Sequence, residues 1–132
     1  QVSWQGFDYV SFTLLPVTFN DCSVEHARGF LQAQLAKIDE LSRRDGFGWL
    51  IGELDIFTFG YLSEYTVERG CVAEPKDVFL PIWDETISQL LAAPTRPSAA
   101  YFVAGPSEWA DDMTLRGQLA TRLQGFAAAL KE

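Results

Sequence analysis

The apolar residues of this chain change period in a fixed order, and that order narrows its fold more than any other feature. Phe7–Leu15 alternates, with Val10, Phe12 and Leu14 on one face and Phe7, Tyr9, Ser11 and Thr13 on the other, which predicts a strand ending near Pro16. A helical stripe of Phe30, Leu31, Leu35, Ile38 and Leu41 follows. Candidate N-caps lie at Asn20–Ser23, and Gly46 stands just past its end, so a helix is expected over about Val24–Arg44. Trp49–Phe59 and Tyr61–Arg69 read as two strands hinged near Gly60. A second helix is expected from a cap at Asp77 to a stop at Pro94, with Pro81 tolerated in its first turn and Ile82, Trp83, Ile87, Leu90 and Leu91 on its buried side. Ala99–Ala104 reads as a short strand. Leu115, Leu119, Leu123, Phe126 and Leu130 mark a last helix.

The resulting order, β-α-β-β-α-β with a helix appended, matches a ferredoxin-like split βαβ arrangement in a single α+β domain spanning residues 1–132. In that arrangement the first and third strands lie side by side and parallel at the centre, and the second and fourth lie at the edges. The sheet's bare face must then be covered by the last helix or by a second copy of the chain. The well-spaced stripe from Leu115 to Leu130 assigns the covering to the helix, and a homodimer is the alternative.

Charge limits the partners. Eighteen acids against ten bases give a net charge of −8. The stretch Asp45–Glu68 holds Asp45, Glu53, Asp55, Glu64 and Glu68 among six aromatics and contains no Lys or Arg. A nucleic-acid binder needs a basic stripe to displace counterions, and the nearest approach is Arg43–Arg44, so direct nucleic-acid binding is not expected. The longest uncharged run, Tyr9–Asn20, has 12 residues and includes Pro16, too short for a membrane span. The chain starts at Gln1 without Met, as in a trimmed or processed product, and two cysteines are too few for a disulfide scaffold. The expected setting is the cytoplasm, with a removed signal peptide left open.

Two groups of residues carry possible chemistry. Cys22 and Cys71 each follow a predicted strand, and His26 lies one helical turn beyond Cys22. With Asp21 and Glu68 nearby they could form a reactive thiol with its base, a disulfide, or a zinc site. The plainer reading is two small buried hydrophobes and a solvated histidine, since the spacing matches no metal or nucleophile motif. Glu53 and Asp55, two apart on a strand, are expected on one face together with Ile51 and Phe57. Paired carboxylates could hold Mg²⁺ or divide acid and base roles, but no supporting Lys, His or third carboxylate follows at a motif-like distance. Carboxylates on an edge strand also block edge-to-edge aggregation.

Gly-rich phosphate loops, nucleophile elbows, H-E-x-x-H and EF-hand loops are all missing from the sequence. No catalytic residue, metal or cofactor is therefore assigned. The expected function is an acidic protein-binding module that masks a more basic partner protein, as inhibitors, antitoxins and immunity proteins do. Its contact residues are expected to be Glu53, Asp55, Phe57, Phe59, Tyr61, Glu64 and Tyr65. The alternative is a small-molecule sensor or small enzyme at the Cys22/His26/Cys71 end of the sheet.

Overall fold

The computed structural model describes residues 2–16, 23–55, 75–103 and 113–132. Its elements are β1 (Tyr9–Leu14), α1 (Val24–Asp45), β2 (Gly48–Asp55), α2 (Pro75–Ala92), β3 (Ala100–Val103) and α3 (Met113–Leu130). The protein is α+β, with a three-stranded parallel sheet and three helices among the described residues. The strand predicted over Tyr61–Arg69 lies outside them.

Local signals set α1. Ser23, in extended backbone, accepts the His26 amide through its hydroxyl at 3.0 Å. Gly46 ends the helix in the left-handed region at φ 75° and donates its amide to the Ser42 carbonyl at 2.8 Å. Ala27, Leu31, Leu35 and Ile38 are buried, with Phe30 and Leu41 packed against the core from its margin. The second helix differs from expectation at its start. It begins at Pro75, which leaves Pro81 well inside the helix on an exposed position. Proline there removes one backbone bond, and the burial of Leu80, Ile82, Trp83 and Leu90 on the other side outweighs that loss.

Strand order corrects the ferredoxin-like expectation. β2 is the centre of the described sheet, pairing in parallel with β1 on one side and β3 on the other. The expected order made this strand an antiparallel edge. The difference is that the crossover through α1 sets β2 directly against β1, where the split arrangement would place another strand between them. Edge protection therefore does not explain Glu53.

Successive crossovers of one hand that step from β1 to β2 to β3 put their helices on one face. Arg28 of α1 forms a bidentate pair with Glu85 of α2, with bonds of 2.8 and 3.2 Å. Next to Glu85, Asp84 pairs in the same way with Arg122 of α3, at 2.6 and 3.2 Å. Arg96, just beyond the end of α2, donates to the carbonyl of Ala129 near the end of α3 at 3.0 Å. α3 therefore runs parallel to α2, and all three helices run against the strands. The last helix extends the helical layer and does not cover the sheet's opposite face, which corrects the covering role expected for it. Its apolar stripe is used at Leu119 and Phe126, and Phe126 meets the Phe102 ring at 5.7 Å on the core side.

The N-terminal segment hooks onto the end of α1. Asp45 accepts the Trp4 amide at 2.8 Å and both Nε and Nη2 of Arg44, while Arg44 also donates to the Val2 carbonyl at 2.9 Å. Hydrogen bonding from Arg44, then from the Trp4 amide, lowers the Asp45 pKa from 3.8 to about 2. Since the folded-state value is the lower one, the hook's contribution is complete above the unfolded value and is lost as pH falls from about 4 through about 2. Asp45→Asn is expected to flatten that part of the acid-unfolding curve and to speed exchange of the Trp4 amide in NMR. An unchanged acid limb and an unchanged Trp4 amide would count against the hook.

Candidate functional site

One face of the sheet builds the core, and no described element covers the other. Register pairs Val10 with Trp49, Phe12 with Ile51, Leu14 with Leu54, Ile51 with Ala100 and Leu54 with Phe102, all directed towards the helices. The opposite face presents Tyr9, Ser11 and Thr13 from β1, Gly48, Leu50, Gly52 and Glu53 from β2, and Tyr101 from β3. Tyr9 is 57% and Tyr101 66% exposed, high for aromatic residues in strands.

A bulge in β2 decides the position of Glu53. Strict alternation from Trp49 and Ile51 would point Glu53 into the core and Leu54 out. Instead the register slips by one residue against both neighbours. Phe12 and Thr13, adjacent on β1, pair with Ile51 and Glu53, while Ile51 and Leu54 pair with Ala100 and Phe102 on β3. Gly52 and Glu53 both stay outside, and Leu54 enters the core completely. The expectation that Glu53 shares the face of Ile51 is thereby corrected. A carboxylate between Trp49 and Leu54 would lose its hydration with no cation to meet it, costing several kcal/mol or more, and one extra residue in the strand avoids this.

At Gly52 a Cβ would meet the Ser11 hydroxyl of β1, which would have to rotate away to admit it. At Gly48 a Cβ would lie 2.8 Å from the Tyr9 ring. Side chains of β1, Tyr9 and Ser11, thus lie over the glycines of β2, and Glu53 and Tyr101 are exposed beside them.

Charge is divided between the layers. β1, β2 and β3 contain no Lys or Arg. The ion pairs among the described residues lie in the helical layer: Arg28 with Glu85, Lys37 with Glu40, Arg43 with Asp39, Arg44 with Asp45, and Arg122 with Asp84. Glu85 is held below the usual carboxylate range, mainly by its hydrogen bond from Arg28. Glu53 has no ion-pair partner among the described residues, and none of them cancels its negative field on the sheet face.

Of the residues expected from sequence, Glu53 is exposed on this face and Asp55 ends β2 with its backbone paired to Val103. Phe57, Phe59, Tyr61, Glu64 and Tyr65 lie outside the described residues, as do Asp21, Cys22, Glu68 and Cys71. His26 sits in the first turn of α1. Among the described residues no group of His, Cys, Asp and Glu could hold a metal ion, and no helix is long and apolar enough to cross a membrane. A cleft of about 230 Å³ is lined by Val2, Ser3, Gln5, Arg44 and Asp45, but its two charged groups are already bound to each other.

Sequence reasoning missed Tyr101 as a site residue. Its alternation with Ala100 and Phe102 was the available signal. Gly52 inside an otherwise apolar strand was the signal for the bulge. No protein-family model, curated protein or solved structure matches the chain.

Proposed function

We propose that this chain is a protein-binding module that meets a more basic partner protein through the open face of its sheet, acting as an inhibitor or immunity protein does. The observation that carries this reading is the exposed Glu53, unpaired among the described residues, on a face with two exposed tyrosines and no base in any strand. Aromatic anchors next to uncancelled charge suit a partner that brings cations: the charge speeds encounter and the rings supply contact area. The reading continues along the acidic stretch through Asp55, Phe57, Phe59, Tyr61, Glu64 and Tyr65. A polyanion would be repelled by the same field.

The test is kinetic. With a partner isolated from the native host, Glu53→Lys is expected to slow association by about three- to ten-fold, and rising salt should slow the wild type in the same direction. Stability should stay within about 0.5 kcal/mol, because the side chain is exposed. An association rate indifferent to both salt and Glu53→Lys would refute the reading. Attention would then move to the end of the sheet where α1, α2 and α3 begin.

A further inference from the structure

We propose that the bulge in β2 and Tyr101 together form a receptor for an arginine side chain of the partner, an inference that rests on the protein-binding reading above. The bulge gives the central strand two successive outward positions, one without a side chain and one with a carboxylate. Tyr101 follows Ala100 and precedes Phe102, whose register partners are Ile51 and Leu54, so it stands on β3 beside Gly52–Glu53. On the other flank, Thr13 is the register partner of Glu53. Neighbouring strands lie ~4.8 Å apart, so one planar group can reach both the carboxylate and the aromatic ring.

Guanidinium suits this arrangement better than any other biological cation. It can give two parallel hydrogen bonds to a carboxylate while its face lies against tyrosine, and it sheds water more readily than an ammonium group. Lysine offers only a point charge on a flexible stem. The receptor is also unoccupied from within the described chain, since the ion pairs among the described residues all lie in the helical layer and none includes Glu53. Gly52 keeps the floor beside the carboxylate low: the Ser11 hydroxyl fills the place of its missing side chain.

The experiment uses the full chain, ¹⁵N-labelled, titrated with triarginine and with trilysine at equal ionic strength. Triarginine is expected to shift the amides of residues 52–54 and 100–102 first, and to bind about five-fold more tightly than trilysine. Glu53→Gln and Tyr101→Leu should each abolish that preference. Glu40→Gln on α1, whose carboxylate is occupied by Lys37, should leave it unchanged. If both peptides shift the same amides with equal affinity, the arginine receptor is refuted while the protein-binding reading stands. If the shifts fall on the helical layer, or if none occur, the receptor is refuted and the open face loses its support as a docking surface.

Discussion

Excision of Gly52 from β2 is expected to leave the protein's stability nearly unchanged, whereas excision of Leu50, two residues earlier, is expected to destabilise it strongly. Removing Gly52 deletes the extra residue of the bulge. Ile51 and Leu54 then remain inward, Glu53 remains outward, and Thr13 and Leu14 keep their partners in a regular ladder. Removing Leu50 has no such solution. Either Ile51 moves outward and Gly52 takes its place in the core, or Trp49 is expelled; both residues are only 2% exposed. Losing a buried side chain of that size costs about 2–5 kcal/mol, against total stabilities of ~5–15 kcal/mol for domains of this kind. Urea unfolding followed by near-ultraviolet circular dichroism would compare the two deletions. If loss of Gly52 lowers the urea midpoint as much as loss of Leu50, the bulge is refuted.

Trp83→Ala should be the most damaging single substitution in the helical layer. Trp83 is 1% exposed on α2 and meets Phe102 of β3 edge-to-face at 5.4 Å, and Phe102 in turn meets Phe126 of α3 at 5.7 Å. The three rings join two helices and a strand in one contact chain. Truncation at its origin removes a large buried side chain and leaves a cavity, for an expected loss of about 3–5 kcal/mol. Amide exchange should rise most along α3, whose apolar anchorage runs through Leu119 and Phe126. A variant with a wild-type urea midpoint and a still-protected α3 would show that the rings are not the joint described.

What could be read in the sequence was local. Ser23 and Gly46 bracket α1 because capping depends on residues within one turn of the helix end, and the expected bounds differ from the observed ones by a single residue. The two faces of β1 were equally legible, since period-two alternation needs no knowledge of the partner strand. Strand order was not legible: β2 beside β1 and β3 is a long-range pairing that the residues of Trp49–Asp55 do not encode by themselves. The bulge left only a glycine as its trace, and one slipped residue reversed the side on which Glu53 was expected. The placement of α3 failed for a related reason. A stripe such as Leu119 and Phe126 says that a helix is buried, not which layer receives it.

The parallel course of α1, α2 and α3 gives the molecule an electrical axis. Each helix carries roughly half a unit charge at either end, and helices of this length separate those poles by roughly 27–33 Å. Arg43 and Arg44 in the last turn of α1 are matched by Asp39 and Asp45, α2 and α3 have no base of their own in their last turns, and Arg96 meets the Ala129 carbonyl near the end of α3. Within about one turn of those ends, negative charge is favoured where the helices begin and positive charge where they finish.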